Sequence, residues 1–133
     1  MNQATEQLLS VENLDTGYAG VPVVRDLDIY LNAGEVVALL GPNGAGKTTT
    51  LLTVSGIIPL LGGSIKVLGE NVDSKNPHKN ARLGLSHVAE DRSLFFNLTV
   101  KENLQLGLRG DKELQEEGME KALELLPALR PLM

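Results

Sequence analysis

A chain of 133 residues is long enough for one domain with a real core, since a chain near that size buries about two-thirds of its unfolded surface. Its net charge of −5, with 12 basic residues nowhere gathered into a cluster, excludes a nucleic-acid-binding surface, because neutralising a phosphate backbone needs clustered Lys and Arg. The absence of cysteine excludes disulfides, thiolate metal sites and cysteine nucleophiles, and suits a reducing cytoplasm.

The opening residues 1–7 are polar and read as a frayed lead without the basic and apolar regions of a secretion signal. No apolar run approaches the ~20 residues of a spanning helix, so any membrane role is expected through a partner. Leu8, Leu9, Val11 and Leu14 predict a first strand, ended by the turn formers Asp15-Thr16-Gly17, with Tyr18 directly after them. Val23-Val24 and the alternation from Asp26 to Leu31 predict a half-buried antiparallel strand with Leu27, Ile29 and Leu31 on the core face. Asn32-Ala33-Gly34 turns the chain into residues 36–40, an uninterrupted aliphatic run expected as a strand buried on both faces of a parallel sheet.

Gly41-Pro42-Asn43-Gly44-Ala45-Gly46-Lys47-Thr48-Thr49-Thr50 follows. It fits the phosphate-binding pattern G-x-x-x-x-G-K-[ST] at every fixed position. A loop that wraps a phosphate must turn its amide hydrogens inward, and Gly41, Gly44 and Gly46 supply the freedom to do so. The helix expected from Thr48 to Val54, stopped at Ser55-Gly56, brings unpaired N–H groups and its positive dipole end to the same place. Lys47 would carry a compact positive charge to the outer phosphates, and the Thr48 hydroxyl is placed to ligate a bridging magnesium ion. The candidate phosphate contacts are therefore Gly41, Asn43, Gly44, Ala45, Gly46, Lys47, Thr48 and Thr49. The competing reading is a glycine-rich turn that binds nothing; full spacing, the Lys-Thr pair and the strand context weigh against it.

Beyond the loop, residues 57–61 are apolar but broken by Pro59, Gly62-Gly63 signals a turn, and residues 64–68 alternate as a strand. Gly69-Glu70-Asn71 predicts another turn, and Asn76-Pro77 opens a capped helical turn. Residues 83–88 read as a buried strand that Gly84 weakens, with His87 inside it and His78 at a surface turn; neither histidine has a partner at metal or catalytic spacing. Residues 89–97 form a loop carrying both phenylalanines, and Thr99 with Glu102 makes a capping box opening a helix to about Leu108. Residues 111–126 predict an amphipathic helix with Leu114, Ala122, Leu123 and Leu126 on one side, stopped by Pro127. About five strands and three helices imply a layered α/β domain with antiparallel strands at the N-terminal side.

These motifs resemble the nucleotide-binding domains of ABC transporters along essentially the whole chain, with GPNGAGKTTT as that family's common phosphate loop. The segment from Ala89 to Val100, with Glu102-Asn103-Leu104, looks like the ATP-binding subunit of branched-chain amino-acid importers. The resemblance implies a P-loop ATPase fold, with residues 1–89 as ATP-binding core around the phosphate loop 41–48 and residues 90–133 as a loop and the start of a helical subdomain. It implies ATP and Mg2+ as ligands, and a cytoplasmic position, peripheral on the inner face of the cell membrane. It also implies a second ATP-binding subunit, and transmembrane permease subunits met through the stretch from Arg92 to Thr99.

Tyr18 matches the aromatic that stacks on adenine in this family; the alternative is an ordinary turn tyrosine covering the first sheet. Glu90 falls where most of the family has a glutamine that senses magnesium and the attacking water, which makes it a candidate catalytic and metal-binding residue. The alternative is a solvated acidic turn with Asp91. Leu94, Phe95, Phe96 and Leu98 match the segment that meets the membrane subunit, unless they pack inside the domain.

The chain departs from the family after Val88. The strand-end Asp-Glu pair that holds magnesium and orients water is missing, as are the Leu-Ser-Gly-Gly signature and the switch histidine. The expectation is an N-terminal portion of a longer ATPase that binds ATP weakly and does not hydrolyse it alone. The alternative is a non-catalytic nucleotide-binding or partner-docking fragment. A GTPase would normally show Asp-x-x-Gly and Asn-Lys-x-Asp, and neither occurs.

Overall fold

The computed structural model describes residues 6–74, 76–91 and 94–133. Residues 1–5 of the expected polar lead, and Arg92 and Ser93 of the expected docking stretch, lie outside the described residues. The architecture is α/β. Four strands, β1 Gln7–Tyr18, β2 Val21–Asn32, β3 Leu60–Val67 and β4 Glu70–Asn71, make one sheet in the order β2-β1-β3-β4. Every pairing in it is antiparallel. The antiparallel N-terminal strands are as the sequence predicts; their ends are not.

Glu6 and Gln7 belong to the sheet rather than to a lead: the Glu6 carbonyl accepts the Ala33 amide at 2.8 Å and Gln7 pairs with Asn32. β1 does not stop at Asp15-Thr16-Gly17. A register shift between Val11 and Leu14 lets it bend and continue, and Asp15 Oδ1 accepts the Asp26 amide at 2.9 Å. The turn comes at Ala19 and Gly20, both at positive φ (50° and 77°), the backbone of a two-residue hairpin of type I′. Gly62-Gly63 likewise lies inside β3, opposite a register shift at Asp15, instead of turning the chain. The next turn is Leu68-Gly69, and Glu70–Asn71 is strand.

Residues 36–40 are not a buried strand. Val36 is 97% and Leu40 90% exposed. A parallel strand buried on both faces needs a hydrogen-bonded neighbour on each side, and among the described residues no strand pairs with this run. Residues 83–88 fail as a strand for the same reason: Val88 is 86% exposed, although Leu83 and Leu85 pack against the core. His87 is thus exposed and outside any strand, its Nδ1 3.0 Å from Ser55 Oγ, and His78 sits on the exposed side of a helix.

That core is small. Val11, Leu14, Ile65 and Val67 from the sheet meet Val72 and Val54, the last from helix α1 Lys47–Val54. Helix α2 Pro77–Arg82 is held by Asn80, which is 1% exposed; its Oδ1 accepts the Asp73 amide at 2.8 Å and its Nδ2 donates to the Asp73 carbonyl at 2.9 Å. Asn76 starts α2 without the expected side-chain cap; its Nδ2 donates to Asp73 Oδ2 at 2.9 Å.

The chain divides into two compact units, Met1–His87 and Val88–Met133. The second contains α3 Val100–Gln105, α4 Lys112–Leu125 and a 3-10 turn Pro127–Leu132. The predicted capping box opens α3: Glu102 N–H donates to Thr99 Oγ1 at 3.2 Å and Glu102 Oε2 accepts the Thr99 amide at 2.8 Å. α3 ends at Gln105, short of Leu108. In α4 only part of the expected apolar side is covered, with Leu123 buried while Leu114 and Leu126 are exposed. No helix among the described residues is long and apolar enough to cross a membrane.

Candidate functional site

The glycine-rich loop ends where α1 begins, and the junction is fixed from below by β2. Gly46 caps α1 with left-handed backbone (φ 88°) and is buried; a Cβ on it would lie 2.2 Å from Val24 Cγ2. Only glycine satisfies both constraints. The Ala45 amide donates to the Pro42 carbonyl at 3.2 Å, which closes the loop on itself.

α1 starts with no side-chain cap and no acidic residue in its first turn. The first-turn amides have no carbonyl within the helix to bond, so the N-terminus presents bare donors and the positive end of the dipole. Lys47 adds its charge there. Its Nζ donates to the Gly41 and Pro42 carbonyls, each at 2.8 Å, so the ammonium lies across the loop. The helix end, the lysine and the amides of one short loop form an electropositive cradle suited to an anion with several oxygens.

Of the sequence-predicted residues, Gly41, Asn43, Gly44, Ala45 and Thr48 are exposed on the loop and first turn, whereas Thr49 is buried. Tyr18 is brought to the same place: half exposed at the end of β1, with its hydroxyl 3.4 Å from Thr49 Oγ1. Glu90 is an exposed turn residue of the second unit, and among the described residues no three His, Cys, Asp or Glu side chains gather as a metal site.

Two supports of the loop lie outside the sequence motif. Val24 is only a strand residue in the pattern, although it seats Gly46. The buried face of α1 is hydroxylic, with Thr49, Thr50 and Thr53 at 7%, 2% and 1% exposure. Thr50 Oγ1 donates to the Gly46 carbonyl and Thr53 Oγ1 to the Thr49 carbonyl, each at 2.9 Å. The Thr53 hydroxyl also contacts that of Thr16, fully buried in β1. Threonines at positions 49, 50 and 53, set among Leu51, Leu52 and Val54, are the available signal.

In the second unit, Phe95 and Phe96 are 59% and 90% exposed and, with Leu94, Leu98, Val100 and Leu104, line an apolar groove of about 610 Å3. Asn103 of α3 holds this loop. Its Oδ1 accepts the Phe95 amide at 3.0 Å, and its Nδ2 donates to the carbonyls of Phe95 (3.0 Å), Leu98 (3.2 Å) and Thr99 (3.0 Å).

Residues 24–130 match the family model described as ABC transporter. The chain is 40% identical over 120 residues to the lipopolysaccharide export system ATP-binding protein LptB of Haemophilus influenzae, which covers 90% of this chain and 50% of that protein. It is 36% identical over 124 residues to the high-affinity branched-chain amino acid transport ATP-binding protein BraG of Pseudomonas aeruginosa, covering 92% of this chain and 53% of that one. A solved structure of the ATP-binding subunit of an ABC transporter superposes with a TM-score of 0.67 at 34% identity, over 74% of this chain and 40% of the other. The chain spans about half the length of the curated relatives it matches.

Proposed function

The chain belongs to the ABC transporter family, and from that premise we propose that it is the ATP-binding part of a transport ATPase whose nucleotide sits in the loop before α1. The observation that carries this reading is the uncapped, acid-free start of α1 with the Lys47 ammonium spanning the loop carbonyls. Gly41, Asn43, Gly44, Ala45 and Gly46 would offer backbone donors, Lys47 would neutralise the outer phosphates, and Thr49 would support the first turn. Tyr18 would cover the adenine, with its ring steered by the hydroxyl contact to Thr49. Thr48, on the exposed first turn of α1, would offer its hydroxyl oxygen to magnesium. Bound magnesium supplies charge neutralisation across the phosphates, and its ligand set would draw on phosphate oxygens as well as protein ones.

The apolar groove of the second unit would receive a helix of a transmembrane permease subunit, placing the chain at the cytoplasmic face of the membrane beside a second ATP-binding subunit. The transported molecule is read first as a branched-chain amino acid, on the segment from Ala89 to Val100. A second reading, an envelope lipid carried outward, is favoured by the 40% identity to a lipopolysaccharide export ATP-binding protein.

Calorimetric titration with ATP and magnesium tests the nucleotide site. Removing one charge-assisted contact costs about 1.5–3 kcal/mol, so Lys47→Ala should weaken ATP binding by about 10- to 100-fold. Equal affinity in the two proteins would remove the site. Because the sequence has no strand-end Asp-Glu pair, binding without turnover is expected, and magnesium-dependent phosphate release abolished by Lys47→Ala would contradict that.

A further inference from the structure

A helix whose N-terminus must meet a phosphate has to be fixed along its own axis, and apolar packing does that poorly because it is not directional. α1 offers few apolar anchors. Leu51 is 49% exposed, and the buried positions are Thr49, Thr50, Thr53 and Val54. Beside the Val54 contact with Val11 and Leu14, two hydroxyl pairs join α1 to β1. Each threonine has one O–H proton. The Thr53 proton is committed to the Thr49 carbonyl, so in the Thr16–Thr53 contact the Thr16 hydroxyl is the donor. Thr49 Oγ1 in turn faces the Tyr18 hydroxyl at 3.4 Å.

Two contacts tie α1 to β1, Thr16 to Thr53 and Tyr18 to Thr49, and they run in opposite order along the two elements. The Thr16–Thr53 pair is the firmer, with both side chains buried at 0% and 1% exposure, whereas Tyr18 reaches Thr49 with a half-exposed side chain. A slide of α1 along β1 would break both and carry Lys47, Thr48 and the first-turn amides with it.

We infer that Thr16 and Thr53 are positioning residues for phosphate binding, their buried hydroxyl pair setting the axial register of α1 on β1 and hence the placement of Lys47 and the loop amides. This rests on the proposed ATP site. The pair touches no nucleotide itself; it acts through the helix.

The test compares ATP affinity with magnesium in Thr53→Val, Thr53→Ser and Thr16→Val, at a temperature where thermal melts show each variant fully folded. Losing one buried hydrogen bond that sets the register should weaken binding about five- to tenfold in Thr53→Val. Thr53→Ser keeps the hydroxyl and should stay within about twofold of the parent. Thr16→Val removes the same contact from the strand and leaves Thr53 bonded to Thr49, so it carries the test if Thr53→Val does not fold; it should weaken binding by a similar factor. Serine and valine variants that lose equally, or hydroxyl-free variants that bind like the parent, would make the pair ordinary packing and overturn the proposal. Lys47→Ala is run alongside: if it binds ATP normally the nucleotide site is wrong, whereas its loss with unchanged valine variants sinks only the register.

Discussion

Gly46→Ala probes how the loop is seated, and its cost divides into two parts. The first is backbone: alanine at φ 88° bears the left-handed penalty of about 1–2 kcal/mol. The second is contact, because the new Cβ would lie 2.2 Å from Val24 Cγ2 where carbon atoms prefer about 3.5–4.0 Å. Overpacking of that kind costs about 1–3 kcal/mol. Gly44→Ala isolates the first part, for Gly44 has φ 84° and nothing within 4 Å of its would-be Cβ. Val24→Ala isolates the second, since the nearest remaining atoms would be Val23 Cγ1 at 3.4 Å and the Cβ of residue 24 at 3.7 Å. Urea unfolding followed by circular dichroism should therefore show a loss of about 1–2 kcal/mol for Gly44→Ala and about 2–5 for Gly46→Ala. In the Val24→Ala background, Gly46→Ala should cost about what Gly44→Ala does, a coupling of about 1–3 kcal/mol. A cycle with no coupling would refute the claim that β2 seats the loop.

Three further outcomes are open to direct measurement. Asn80→Ala should destabilise the chain by about 1–3 kcal/mol, as it takes the Oδ1 acceptor from the part-buried Asp73 amide; a loss below about 0.5 kcal/mol in urea unfolding would contradict that role. Leu14→Ala, at a fully buried position, should cost about 2–5 kcal/mol by the same assay. The Thr99 amide, and then its hydroxyl, hold the Glu102 carboxyl below its ordinary value of 4.5. The folded form thus favours the carboxylate, so this support is complete above that value and fades as the pH falls through the lowered one. Stability measured from pH 6 to 3 should fall less steeply in Glu102→Gln than in the parent, and identical slopes would exclude the linkage.

The loop was legible because its demands are local: Gly46, Lys47 and Thr48 are adjacent, and each answers a requirement of one phosphate. The α3 capping box was legible for the same reason. Asp15-Thr16-Gly17 and Gly62-Gly63 misled because their turn chemistry was overruled by pairing with distant strands, which absorbed them as bulges. Residues 36–40 have the composition of a buried strand, but composition cannot supply the neighbours that make one. Val24 and Thr16 act on residues 22 and 37 positions away, Gly46 and Thr53, a distance over which no pattern in one sequence reports. Exposure of Phe95 and Phe96, left open by the sequence, goes with a loop backbone that Asn103 holds at Phe95, Leu98 and Thr99, a bond set that no local pattern announces.

That asparagine has a mechanical corollary. It is the fourth residue of α3, so the backbone at Phe95 and Leu98 is riveted to the helix's opening turn. A tug on Phe95 would be felt as a tilt of α3, and unwinding that turn would release the backbone that carries its ring.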